Sequence, residues 1–239
     1  MAALEKLGGP TWFQLGDRDL ATHIERTRRL NEGEALSTVT QFLCERLGIR
    51  HPVAPMSDRS VRTIVHTDEG ELEFQHYFVR RRCEPRVVKL EYRGADIAAP
   101  ASAFDAALSR DDLEAVIICP SNLFLSIRPI LVLGDIRAKI ERQSAPVVAV
   151  SPIVGGQAIK GPAAKLFREL GGESSALEVA RLFAGLIDGL VIDRVDAGFA
   201  PEIEKLGLRA RVAETVMRNK RDQAELARAT VQFAATLAH

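Results

Sequence analysis

The chain has 239 residues, 46% of them hydrophobic, and a mean hydropathy near zero, which suits one large α/β domain or two small ones. Lys+Arg and Asp+Glu stand at 32 each, a balance that excludes the basic footprint of a nonspecific nucleic-acid binder. No stretch approaches the ~18 consecutive apolar residues of a membrane span, and residues 1–10 lack the basic-then-apolar order of a secretory signal.

In chain order, the first unusual stretch is Gly16-Asp17-Arg18-Asp19-Leu20-Ala21-Thr22-His23. A helix starting at Leu20 would have Asp19 as its cap and put His23 and Arg26 on one face. Arg18 is placed to offer a guanidinium fork to an anion; a capped surface helix is the competing reading. Leu36 to Leu47 reads as a helix with a Val39, Leu43, Leu47 stripe and Gly48 as its stop. Pro55-Met56-Ser57-Asp58 is a turn whose carboxylate serves either as a loop cap or as a ligand to a metal, a hydroxyl or a ring N–H.

Val61 to Thr67 and Leu72 to Val79 read as two strands around the turn Asp68-Glu69-Gly70, and Val87 to Tyr92 as a third. On such a strand Arg80, Arg81 and Arg82 point to both faces, so at least one would face inward toward an anion. A hairpin-containing subregion is therefore expected at about residues 50–95, within a single α/β domain of residues 1–239.

The pattern then changes. Ala115 to Cys119, Val147 to Val150 and Leu190 to Asp193 are short, wholly apolar runs that suit parallel strands covered on both faces. Helical patterns lie between and after them, at Ile136 to Arg142, Ala163 to Leu170, Ala176 to Ile187 and Asp222 to Leu237. This alternation predicts an open, Rossmann-like, mostly parallel sheet with helices on both faces, plus the small hairpin insertion. Ligands in such sheets bind beyond the carboxyl ends of the strands. There the sequence puts Pro120-Ser121-Asn122, and Ser151 to Pro162 with its Gly155-Gly156 pair and Lys160. Neither is a Walker A loop or a GxGxxG fingerprint, and Ser121 lacks a GxSxG elbow. Cys44, Cys83 and Cys119 have no zinc spacing and read as small core residues of a reduced, cytoplasmic protein.

Taken together and in order, WFQLGDRDLATH, PMSD, FQHYFVRRRCEP, CPSN with SIRPIL, and SPIVGGQAIKGPAAK resemble the signature stretches of the 2-phospho-L-lactate transferases. The likeness continues more loosely to Asp193 and Asp196. It implies transfer of a phospholactyl group from lactyl-2-diphospho-5′-guanosine to the deazaflavin FO, releasing GMP, with magnesium as cofactor, in coenzyme F-420 biosynthesis. Related members use phosphoenolpyruvate, and homodimers are common. The resemblance makes Asp17, Arg18 and Asp19 candidates for the FO side, and His23, Asp58 and Arg80 further candidates for substrate binding. It assigns Ser121 and Asn122 to the nucleotide or phosphate site, shaped by Gly155, Gly156 and Lys160. It separates no catalytic residue from binding ones and identifies no metal ligand.

The family's N-terminal strand, GGTGG-like loop and acidic stretch have no counterpart, so the expectation is an incomplete domain with an exposed sheet neighbour and poor solubility or marginal stability. Leu123, Arg128, Leu133 and Arg59 stand where the family usually has Pro, Gly, Pro and Asp. An inactive remnant and a noncatalytic nucleotide-sugar-binding regulator of related fold are the competing readings.

Overall fold

The computed structural model describes residues 5–238 except 10, 14, 159–161 and 171. The chain divides into two compact units, Met1–Ala106 and Ala107–His239.

In the first unit, helix α1 (Asp17–Asn31) and helix α2 (Leu36–Arg46) precede strands β1 (Arg62–Thr67), β2 (Gly70–Glu73) and β3 (Val87–Arg93). The strands form an antiparallel sheet in the order β2-β1-β3. Thr67 pairs with Gly70 and Val65 with Leu72, which leaves Asp68 and Glu69 as the turn. Val39, Val65, Tyr77 and Val87 are wholly buried and form the unit's apolar interior. One expectation fails here. The strand predicted for Leu72 to Val79 ends at Glu73, and a π-helical turn follows over His76–Arg80. Arg81 N–H donates to the His76 carbonyl and Cys83 N–H to that of Tyr77, so the chain winds back on itself and buries Tyr77. Three arginines on alternating strand faces therefore do not exist.

The second unit holds the parallel sheet. Strands β4 (Val116–Ile118), β5 (Val147–Val150), β8 (Gly189–Asp193) and β9 (Arg209–Ala213) lie in that spatial order, all parallel. Between β5 and β8 comes a two-stranded hairpin, β6 (Ile153–Val154) with β7 (Gln157–Ala158). Every residue of β5 and β8 is buried, as the apolar runs predict for strands covered on both faces. On one face Val148, Val150 and Val191 pack against Leu226, Phe233 and Ala234 of the long helix α9 (Lys220–Ala235). Asn219 starts that helix, its side chain accepting from the N–H groups of Arg221 and Asp222. The helices expected between the strands form over α5 (Ile136–Glu141), α6 (Ala163–Glu169) and α7 (Ala176–Phe183). Three others accompany them: α3 (Ser102–Leu108), whose residues fall in both units, α4 (Arg128–Leu131) and α8 (Ala200–Glu204). The edge strand β9 was not anticipated: its Arg-Ala-Arg-Val-Ala sequence leaves it partly exposed and hides it from a search for apolar runs.

Candidate functional site

Beyond the carboxyl ends of the parallel strands, the second unit has a cleft of about 360 Å³. The Pro120-Ser121-Asn122 loop after β4 makes one side, and Ser151, Pro152 and Val154 after β5 make the next. Thr215, Val216 and Met217, which follow β9, with Ala163 of α6 and Gln223 of α9, complete the described lining. All described lining residues are uncharged. The described lining therefore offers hydroxyls and amides set among apolar side chains.

Asn122 has two roles to fill. Its Oδ1 accepts from the N–H groups of Phe124 and Leu125, capping the π-helical turn Leu123–Ile127. Its Nδ2 is closed off from solvent and has no acceptor among the described residues. An orphaned amide of this kind costs about 1–3 kcal/mol, a cost that a ligand oxygen admitted by a small shift of the loop would remove.

The far wall is held from behind. Ser151 is buried, its Oγ donating to the Ile153 carbonyl at 3.0 Å and accepting from Ile153 N–H at 3.2 Å. The β6–β7 hairpin then turns through Gly155 and Gly156 at φ 56° and 76°, the pair of positive values a tight two-residue hairpin requires. Gly155 N–H donates to both oxygens of buried Asp196, at 3.2 and 3.0 Å. Burial, and next to it the charge of Asp193, push the Asp196 carboxyl up, against the pull of the Gly155 hydrogen bond. Asp193, which ends β8, is also buried, and burial alone would raise its carboxyl. Hydrogen bonds from Thr215 N–H and Oγ, each 2.9 Å, and from Val195 N–H outweigh this and hold it below the usual range.

Ser121, Asn122, Gly155 and Gly156 thus belong to this unit, the first two on the cleft and the glycines at the tip of the hairpin that walls it. Lys160 lies outside the described residues. Asp17, Arg18, Asp19, His23, Asp58 and Arg80 belong to the first unit. There α1 begins at Asp17, with Gly16 at its cap position and no side-chain cap, so the expected start at Leu20 and the capping role of Asp19 fail. Arg18 is exposed and has no ion-pair partner among the described residues. His23 Nδ1 and Arg26 Nη2 are 2.9 Å apart, on one face as predicted. Asp58 accepts from Ser37 N–H at 2.6 Å and Ser37 Oγ at 3.0 Å, which ties its loop to the start of α2. Arg80 ends the π-helical turn, exposed.

Magnesium does not fit the carboxylates described at the cleft. Asp193 and Asp196 are turned inward onto N–H and O–H donors, whereas magnesium takes free carboxylate or phosphate oxygens with several waters. Among the described residues one group has metal-ligating atoms within reach of each other: His66, Glu71 and Glu91 on the antiparallel sheet. Arg93 already spans both glutamates, at 2.7 Å to Glu91 and 3.2 Å to Glu71. Its hydrogen bonds, ahead of that from His66, hold the Glu91 carboxyl at about 2.

Thr215, Ser151, Asp193 and Asp196 carry much of this geometry, and sequence reasoning gave them little or no weight. The signal available was an acidic residue closing the LVID run and another three positions on.

The family described as 2-phospho-L-lactate transferase CofD matches residues 5–234. A phosphoenolpyruvate transferase of Streptomyces griseus is 40% identical over 233 residues, covering 95% of this chain and 72% of that protein. A 2-phospho-L-lactate transferase of Methanosarcina acetivorans is 37% identical over 224 residues, covering 94% and 72%. Among solved structures, protein BH3568 of Bacillus halodurans, of the UPF0052 family, superposes with a TM-score of 0.56 at 14% identity, covering 82% of this chain and 67% of its own. That likeness speaks for the fold alone.

Proposed function

The chain belongs to the 2-phospho-L-lactate transferase CofD family, and from that premise we propose that it transfers a three-carbon phospho-acid group to the deazaflavin FO in coenzyme F-420 biosynthesis. The donor is lactyl-2-diphospho-5′-guanosine or its phosphoenolpyruvyl counterpart. The terminal ribityl hydroxyl of FO attacks the phosphorus next to the three-carbon unit. A new P–O bond forms, the bridging P–O bond breaks, the hydroxyl loses its proton, and GMP leaves with the bridging oxygen. Such a transfer asks a protein for alignment and electrostatic stabilisation more than for covalent chemistry.

The observation that carries this reading is the cleft at the carboxyl ends of the parallel strands, whose mixed apolar and polar lining includes Ser121, Asn122 and Thr215, within the matched region. For a phosphate oxygen Asn122 supplies a donor with no acceptor among the described residues, and Ser121 adds a hydroxyl, while the Thr215 hydroxyl is committed to Asp193. On the same reading Lys160 contributes positive charge, Asp17, Arg18 and Asp19 serve the FO side, and His23, Asp58 and Arg80 take part in substrate binding. Charge neutralisation of the diphosphate is the chemistry that magnesium, implied by the resemblance, would supply. The carboxylates described at the cleft make no cage for it.

The test is GMP release with FO as acceptor. The expected result is GMP formed in step with phospholactyl- or phosphoenolpyruvyl-FO, and only when FO is present. Binding of FO and donor without turnover would contradict the proposal in favour of an inactive protein. Binding of a nucleotide sugar but not FO would contradict it in favour of a regulator.

A further inference from the structure

The segment Asp193–Asp196 touches both walls of the cleft without lining it. Asp193 Oδ2 accepts from Thr215 N–H and Oγ at 2.9 Å each, and Thr215 is a wall residue beyond β9. Asp196 accepts from Gly155 N–H through both oxygens, and Gly155 is the tip of the hairpin whose root, Pro152 and Val154, is the wall beyond β5. The same tip has a second tie, because Ser174 Oγ donates to the Gly156 carbonyl at 2.7 Å. Gly156 also sits close against that anchor: a Cβ built on it would lie 3.3 Å from the Ser174 carbonyl.

Both carboxylates are 3–4% exposed, and neither has an ion-pair partner among the described residues. An unpaired buried carboxylate is expensive unless hydrogen bonds satisfy it. Here, apart from Val195 N–H, the described donors belong to two of the loops that form the cleft. A two-residue hairpin of two residues per strand has too little pairing to hold its own position. Its placement then depends on contacts outside the hairpin.

We propose that Asp196 is a positioning residue, a buried latch that fixes the Gly155-Gly156 hairpin as the cleft wall, with Ser174 as its second anchor and Asp193 doing the same for the Thr215 wall. The ligand assignment rests on the reading that the cleft takes a diphosphate; the latch itself does not.

The experiment compares the full chain with Asp196→Ala, Asp196→Asn and Ser174→Ala. Two quantities are read: amide hydrogen exchange across residues 153–158, and binding of inorganic pyrophosphate by calorimetry. Losing a hydrogen bond to a charged acceptor predicts exchange faster by about tenfold or more in Asp196→Ala, with pyrophosphate weakened by a similar factor. Asp196→Asn keeps an acceptor for Gly155 and is expected to restore most of both. Ser174→Ala is expected to speed exchange at the same peptide by a smaller factor. If Asp196→Ala does not fold, Ser174→Ala and Asp196→Asn decide. Unchanged exchange across 153–158 in a folded Asp196→Ala, or in Ser174→Ala, overturns the latch. Pyrophosphate that fails to bind the unmodified protein overturns the diphosphate reading and leaves the latch to be judged by exchange.

Discussion

Asp193 and Asp196 are three residues apart and buried to the same degree, yet their carboxyls move in opposite directions. The difference lies in donors. Asp193 receives two hydrogen bonds from Thr215 and one from Val195, enough to overcome burial. Among the described residues Asp196 receives that of the Gly155 N–H alone, and the charge of Asp193 adds to the effect of burial. Linkage turns this into opposite pH dependences of stability. For Asp193 the folded value lies below the unfolded one, so its contribution is present above the ordinary aspartate range and disappears as pH falls through the folded value. For Asp196 the folded value lies above the unfolded one, so its contribution is present at low pH and is lost as pH rises through the folded value. Melting temperatures measured against pH for Asp193→Asn and Asp196→Asn are expected to differ from the unmodified protein with slopes of opposite sign. Parallel curves for the two variants would show that the donors do not set these carboxyls as described.

At the scale of elements, β8 depends on a residue without a side chain. Gly189 begins the strand directly beneath α9, where an added Cβ would fall 2.7 Å from Phe233 Cε1 and 2.8 Å from Leu237 Cδ1. Gly189→Ala should therefore force the helix off the sheet and destabilise the protein by about 1–3 kcal/mol, the usual range for overpacking. A urea titration would read this as a lower midpoint at unchanged slope; an unchanged midpoint would show that α9 gives way freely.

The sheet itself was readable because AVIIC, VVAV and LVID are apolar on both faces, and burial on both faces is the physical reason for such runs. Strand β9 was not readable, since an edge strand with Arg209 and Arg211 facing outward has no such run. The π-helical turn was missed for a related reason. His76 to Arg80 has the β-branched and aromatic content of a strand, and what decides its shape is the burial of Tyr77 with the backbone bonds to Arg81 and Cys83. Within the site, the loops carrying Ser121, Asn122 and the glycine pair were legible by position after apolar strands. The internal roles of Asp193 and Asp196 were not, because nothing local marks a carboxylate whose partners lie about twenty and forty residues away in sequence.

For the molecule as a whole, membership of the family extends over residues 5–234, and the chain spans 72% of the length of the Streptomyces griseus relative. Among the described residues no helix is long and apolar enough to cross a membrane. The central claim concerns the second unit: its cleft receives the diphosphate of the donor, with the Asn122 amide as a donor to it. Asn122→Asp isolates that claim. The substitution preserves an oxygen for the Phe124 and Leu125 N–H groups while replacing the unmatched amide by a group that repels phosphate. Calorimetric binding of lactyl-2-diphospho-5′-guanosine is therefore the decisive measurement. The account predicts that Asn122→Asp binds the donor at least about tenfold more weakly than the unmodified protein, measured at a temperature where both are folded. Equal affinity in the two proteins would contradict it.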